Sequence, residues 1–337
     1  MSSSSIPSCV VLDANVWVAE RLLQSSIGSA FLYALTSTGA SLGLPETVEL
    51  EVNAVLLAEA EKAVEGLRKS ARLLRQLSGQ KTLHQAPTAE KIQEGIMRRW
   101  AELGGLLEKT PFSFELAKSA LTRVIEKRPP CGENNEQFRD CCLWEAVLER
   151  SKTGTVHLVT NDGAFYESRD RSRGLEKRLC EEVVAKHCDI RIYSNIREFL
   201  SCMEKPVAVL DESAISTTIV DAVSSDARQL VAKHSDSYAL ASAYERRISG
   251  YATPKPSIIA ISFEVWFNLR RTKSRNMRTP NKDGRLRVAG VCSYDPKQGT
   301  VSDVEVREWS MWTDDGGGIA QTQTSFSDLS EKSRYIE

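Results

Sequence analysis

The sequence holds no Cys-x-x-Cys pair and no glycine-rich phosphate loop, and no apolar run approaches the roughly 18 residues that a membrane span requires. Each absence removes a class of protein. The eight cysteines are scattered, and Cys141 and Cys142 sit side by side in a helical stretch where they cannot grip one tetrahedral zinc together, so they read as reduced thiols. The four histidines, His84, His157, His187 and His234, are too dispersed for an imidazole-based metal site. Gly316-Gly317-Gly318 has no strand before it and reads as a linker. A formal net charge of −1 gives no global field toward nucleic acid or anionic lipid, so a polyanion has to be met by a local patch. Met1 to Ser5 carry neither the basic region nor the apolar core of a secretion signal, which sets the expectation of a cytoplasmic protein without a membrane partner.

What is present is enough chain, 337 residues, for one large or two ordinary domains. The organising stretch is Val10-Val11-Leu12-Asp13-Ala14-Asn15-Val16-Trp17, an apolar run of strand length that ends on a carboxylate and turns at once into helix-like sequence. Buried central strands of α/β sheets deliver an acid to their C-terminal edge in this way, and that edge is where such sheets keep their sites. Alone, Asp13 reads equally as a helix cap. Ser41 to Pro45 gives a short second strand, and Glu46 to Ser78 a long helix whose first turn is acidic and whose end is basic. On that helix Val48, Val52 and Val55 form the inward stripe, and Glu51 flanks it while Glu46 and Glu49 point away.

Two more amphipathic helices, Ala89 to Leu103 and Ser113 to Lys127, complete a helical insertion at about 60–130. In the helix from Asn134 to Arg150, Leu143, Trp144 and Val147 lie three, four and seven positions after Asp140, so this acid emerges from the inward face, while Glu145 and Glu149 read as surface acids. Arg139 beside it is placed for a phosphate or for a surface ion pair. Thr155 to Thr160 is a third strand and Asn161-Asp162-Gly163 a turn that puts Asp162 at the same kind of edge as Asp13. A helix from Gly174 to His187, a fourth strand from Asp189 to Tyr193 and a helix from Ile196 to Met203 close an α/β unit with a mostly parallel sheet flanked by helices, spanning 7–203.

From 204 to 313 the pattern changes to a second, smaller α+β domain. Two helical stretches, Ser213 to Ala232 and Ser237 to Ser249, precede a strictly alternating strand from Ile259 to Leu269 and two more strands, a three-stranded antiparallel meander. Residues 314–337 read as a flexible polar tail. The densest basic run, from Arg270 and Arg271 through Lys273 and Arg275 to Lys282, joins two of these strands. It reads either as a loop that grips a phosphate backbone or as a solvated loop that keeps a strand edge soluble; the lack of interleaved aromatic residues tilts toward the second.

Asp13, Glu51, Asp140 and Asp162 can converge at one edge of the sheet. Carboxylates sharing a dry cleft repel one another by roughly 4 kcal/mol per pair at 4 Å, so such a cluster takes up protons or binds cations. An oxygen-only set suits Mg²⁺ or Mn²⁺, which polarise a phosphate and acidify a water for in-line attack on a phosphodiester. A phosphatase of the haloacid-dehalogenase type also begins with a strand and an Asp, but wants a second Asp two residues on, where this chain has Asn15.

The order of Val10-Val11-Leu12-Asp13-Ala14-Asn15, Leu44-Pro45-Glu46-Thr47-Val48-Glu49-Leu50-Glu51, Phe138-Arg139-Asp140-Cys141-Cys142-Leu143-Trp144 and Leu158-Val159-Thr160-Asn161-Asp162-Gly163-Ala164-Phe165 resembles the PIN-domain nucleases, most of all the larger bacterial PIN-like proteins with a helical insertion. The resemblance implies a Mg²⁺- or Mn²⁺-dependent endonuclease acting on RNA more than DNA, with the four acids as metal-binding and catalytic residues. It implies Asn15 and Asn161 as accessory groups. It further implies a homodimer or higher oligomer, a regulatory protein partner, and service as a toxin or phage-defence effector. The alternative is a catalytically silent PIN-like module whose C-terminal domain binds a partner or ligand.

Overall fold

In the computed structural model, residues 8–79, 86–132, 137–203, 212–272, 284–313, 318–322 and 334–336 are described. The chain divides into two compact units, one made of 1–22 with 35–199 and the other of 23–34 with 200–337. The second unit thus starts four residues before the expected boundary and also takes up a short segment from near the N-terminus.

The first unit runs β1 (Ser8–Leu12), α1 (Ala14–Ala19), the end of α2 (Ser26–Thr38), β2 (Ser41–Pro45), α3 (Glu46–Ser78), α4 (Ala89–Leu103), β3 (Leu107–Thr110), α5 (Phe114–Ile125), α6 (Phe138–Ser151), β4 (Thr155–Val159), α7 (Lys177–Ala185) and β5 (Ile190–Tyr193), with α8 (Ile196–Met203) beginning in it. Its five strands pair in parallel in the order β3-β2-β1-β4-β5, so this is the expected α/β sheet flanked by helices. The central strands β1, β2 and β4 are buried from their second residue onward, as near-continuous apolar runs require when helices cover both faces. Chain connections leave β1 toward β2 and β3 on one side and return to β4 on the other. The gap beyond the C-terminal ends of β1 and β4 is therefore the switch point where open α/β sheets place their sites.

Strand β3 corrects the expectation of a purely helical insertion. Among the described residues its four residues, Leu-Glu-Lys-Thr, pair only with β2 and leave Glu108 and Lys109 exposed, so this edge carries charge where a strand pattern would carry apolar residues. Helix α6 is buried nearly all round, from Cys141 through Leu148, with Trp144 at 0% exposure. Glu145, expected at the surface, instead turns inward. Arg123 of α5, 1% exposed, holds Glu145 of α6 at 2.6 Å and Glu182 of α7 at 2.8 Å and donates to the Pro129 carbonyl at 2.8 Å. Glu182 also accepts from the Trp144 indole N–H at 3.0 Å, so one guanidinium ties three helices together.

The second unit holds α9 (Glu212–His234), β6 (Tyr238–Ala252), β7 (Ile259–Arg271), β8 (Gly284–Asp295), β9 (Thr300–Trp312), β10 (Gly318–Thr322) and β11 (Arg334–Ile336). It is the expected α+β unit, but larger than a three-stranded meander: six antiparallel strands lie in the order β11-β10-β9-β8-β7-β6. Of residues 237–249, read as a helix, all from Tyr238 onward belong to β6. Their Ala, Glu and Arg content favours helix, and bulges between Leu240 and Ala243 and between Ala243 and Glu245 shift the phase of the strand so that no clean alternation shows in sequence. Of the tail, Gly318–Thr322 and Arg334–Ile336 are strands, not flexible chain. Helix α9 lays Ile215, Ile219, Val223, Ala227 and Val231 on one sheet face, against Phe263, Val265, Phe267, Val288 and Trp309. At the β8 bulge, a side chain on Gly290 would meet the Glu305 carbonyl oxygen at 2.1 Å, so only glycine lets β9 approach there. Arg270 and Arg271 are the last residues of β7 and not part of a loop; Lys273 and Arg275 lie outside the described residues.

Candidate metal centre

Asp13 is fixed by three local facts. It follows the last residue of β1, its extended backbone opens α1, and its own N–H donates to the Val159 carbonyl at 3.0 Å, which locks the end of β1 to the end of β4. One carboxylate oxygen accepts from the Ala14 N–H at 2.6 Å, so the helix-cap reading of this acid is correct as far as it goes. The other oxygen accepts from the Thr160 hydroxyl at 2.6 Å. Thr160 is fully buried, and its oxygen in turn accepts from the Asp162 N–H at 3.0 Å. Asp162 caps the short 3-10 turn Gly163–Phe165 through the Ala164 N–H at 2.7 Å. Two acids 149 positions apart are thereby referenced to one hydroxyl, that of Thr160, whose backbone carbonyl accepts from the Tyr166 phenol at 2.8 Å.

Thr160 was not among the residues singled out from sequence. The signal was available in the pairing of β1 with β4: with Leu12 opposite Val159, the next residues in register are Asp13 and Thr160.

Asp140 and Glu51 come from the helices. Asp140 stands in the first turn of α6, and Glu51 in the second turn of α3. The four acids line one cleft of about 510 Å³, together with Ala14, Asn15, Gln137, Phe138 and Arg139. Asn15 donates to the Asn161 side chain at 2.5 Å, which bridges the residues just past β1 and β4. Arg139, 70% exposed in its side chain, holds Glu51 at 2.6 Å, so of its two readings the ion pair is the one formed. Arg270 and Arg271, in the other unit, are not among the residues that line this cleft.

The cleft is electrostatically crowded. Burial pushes the Asp13 carboxyl up to about 6, the Thr160 and Ala14 donors pull it down, and the charges of Asp162 and Glu51 raise it again. Asp140 is pushed up to about 8, first by burial and then by the charges of Asp13, Asp162 and Glu51, with Arg139 alone opposing. Among the described residues no hydrogen-bond donor reaches the Asp140 carboxylate. Near neutral pH it holds a proton unless a cation replaces it.

Among the described residues no three acidic, histidine or cysteine side chains form a closed metal cage. Among the described residues, Asp13 has both carboxylate oxygens committed to protein donors and Asp162 and Glu51 one each, while Asp140 has none. The donor set still fits a small hard divalent ion. Mg²⁺ is held through one or two carboxylates and keeps several waters, so it asks for an open cleft of oxygens and not a cage. Cys141 and Cys142 add nothing to it: both are buried, and burial pushes their thiols up to about 12 and about 11, far from the thiolate a metal would need.

A family model described as PIN domain matches residues 10–165, a span that contains Asp13, Glu51, Asp140 and Asp162. No curated protein and no solved structure matches the chain.

Proposed function

The chain carries a PIN domain over residues 10–165, and from that premise we propose that the protein is a Mg²⁺- or Mn²⁺-dependent endonuclease that hydrolyses phosphodiester bonds in RNA, with Asp13, Glu51, Asp140 and Asp162 as its acidic set. PIN domains are generally nucleases that use divalent ions, and the observation that carries the reading is the convergence of these four carboxylates on one cleft at the switch point of the sheet. The preference for RNA, and service as a toxin or defence effector, are supported by the sequence resemblance.

A divalent ion held by the carboxylates would neutralise phosphate charge and acidify a water for in-line attack. The chain's own residues do the rest. Thr160 fixes the orientation of Asp13, so that this acid needs no reorganisation to serve as a ligand. Asp140 gives up its proton to accept a cation, which makes cation binding tighter as pH rises toward and past about 8. Asn15, which lines the cleft, is held by Asn161, so the chain past β1 and the chain past β4 are joined beside the acids. Arg139 keeps Glu51 in place and presents its exposed guanidinium to an incoming phosphate at the rim.

The test is incubation of the purified protein with labelled single-stranded RNA, tRNA and DNA in Mg²⁺, Mn²⁺ or EDTA, beside Asp13→Asn and Asp162→Asn. Metal-dependent internal cleavage of RNA is expected, reduced by roughly 100-fold or more in each variant because each removes a ligand. Equal activity in wild type and variants, or no cleavage under any condition, would overturn it.

A further inference from the structure

The sheet of the second unit has one face covered by α9 and one face that is not polar in the ordinary way. Alternation along the strands puts Trp266 of β7, Arg285 and Arg287 of β8 and Trp312 of β9 opposite the core residues Val265, Phe267, Leu286, Val288 and Met311. Asn268 pairs with Arg285, and Arg285 with Trp312, so these three form one row across adjacent strands; Trp266 and Arg287 form the next. Tyr244 joins them by a backbone device. Ala243 pairs with Phe267 and Glu245 with Trp266, which leaves Tyr244 as the extra residue of a bulge in β6. A bulge re-aims a side chain, and here it aims a phenol onto the same face, with the Arg285 guanidinium 5.9 Å from its ring centre. Tyr244 and Trp312 are 43% and 42% exposed. Large rings left that open on a sheet contribute little to a core.

Charge on this face is unevenly compensated. Arg247 stacks on Trp266 at 4.9 Å and is paired with Glu245, and Arg287, beside the same ring, is paired with Glu264 and Glu308. Among the described residues no carboxylate pairs with Arg285 or with Arg270, which follows Asn268 and Leu269 on β7 and shares the face by alternation. The open rings and the uncompensated guanidiniums therefore sit at the same end of the sheet. Tyr244 and Trp312 flank Arg285 across strands β6 to β9, three spacings of about 4.8 Å, which leaves room for two or three bases side by side.

We infer that this face of the second unit binds single-stranded nucleic acid, with Tyr244 and Trp312 stacking unpaired bases and Arg285 and Arg270 meeting the phosphate backbone. Aromatic rings on an open sheet take any base, because every base has a π-face, and cannot reach bases paired within a duplex. The two uncompensated arginines supply locally what a net charge of −1 does not supply globally. The aromatics that the basic run lacks in sequence are contributed by neighbouring strands.

Binding here needs neither metal nor cleavage, so it is measured in EDTA on the full chain, by fluorescence anisotropy with labelled oligo(U), oligo(dT) and a duplex of equal length. Saturable binding of single strands over duplex is expected. Tyr244→Ala and Trp312→Ala should each weaken it by roughly tenfold, and Trp312→Phe, which keeps a ring, by less than Trp312→Ala. Arg285→Gln should lower affinity and flatten the salt dependence. A preference for oligo(U) over oligo(dT) would point to RNA, and equal affinity to single strands of either sugar; both support the inference. Variants with native circular dichroism that bind single strands as wild type does, or equal binding of duplex and single strand, would overturn it. Cleavage of RNA by wild type with binding unaffected by these variants would remove the platform and leave the nuclease reading standing; the reverse pattern would do the opposite.

Discussion

Thr160 shows how much of the site hangs on one hydroxyl. It donates to Asp13 and accepts from the Asp162 backbone, so replacing it by the isosteric Val leaves the packing and removes both bonds. Thr160→Val is expected to keep the fold and lower metal affinity or activity by roughly 10- to 100-fold, as loss of a group that orients a ligand does elsewhere; an unchanged titration would show that Asp13 needs no such support. The acids themselves predict a pH effect on stability. Asp13 and Asp140 hold protons more tightly folded than unfolded, with values of about 6 and about 8 against an ordinary 3.8. For an acid shifted upward, the folded state binds the extra proton, so stability falls as pH rises from about 4 through the folded values. In EDTA the melting temperature should drop between pH 5 and pH 8.5, Asp140→Asn should drop less, and Mg²⁺ should restore most of the loss at the upper end. A flat profile in wild type would mean that the carboxyls are not crowded.

At the scale of elements, the buried Arg123 ties α5, α6 and α7 together and so fixes the helix that carries Asp140. Arg123→Ala leaves Glu145 and Glu182 without the cation they share, Glu182 keeping only its bond from the Trp144 indole, and should cost about 3–5 kcal/mol by chemical denaturation. Arg123→Met with Glu145→Gln should recover part of that, whereas equal losses in both would mean that packing and not charge was removed. Element boundaries were mostly legible in sequence where apolar spacing decides them. Helix α3 runs from Glu46 to Ser78 and α4 from Ala89 to Leu103, as their periodicity predicts. What escaped was set by tertiary pairing. Strand β3 is a charged edge with nothing apolar to announce it, β6 is written in helix-favouring residues and stitched to β7 by bulges, and Glu145 is drawn inward by an arginine that lies 22 positions before it.

At the scale of the whole molecule, four acids that no local rule links are brought to one cleft by a parallel sheet whose connections reverse between β1 and β4. The places of Asp13 and Asp162 past strand ends, and of Glu51 and Asp140 on inward helix faces, were readable in advance because each is a local pattern. Their supports, Thr160 beneath Asp13 and Arg139 on Glu51, follow from register and helix packing, which no single stretch of sequence displays. Among the described residues no helix is long and apolar enough to cross a membrane. The central claim is that the cleft binds a hard divalent cation. Its most direct test is a Mn²⁺ titration of the metal-free protein followed by electron paramagnetic resonance, with Asp13→Asn and Asp140→Asn alongside. Saturable Mn²⁺ binding that Mg²⁺ displaces, that strengthens from pH 6 to pH 8.5, and that is lost in both variants is the predicted result. Binding of the same strength in wild type and variants, or none at all in wild type, would contradict it.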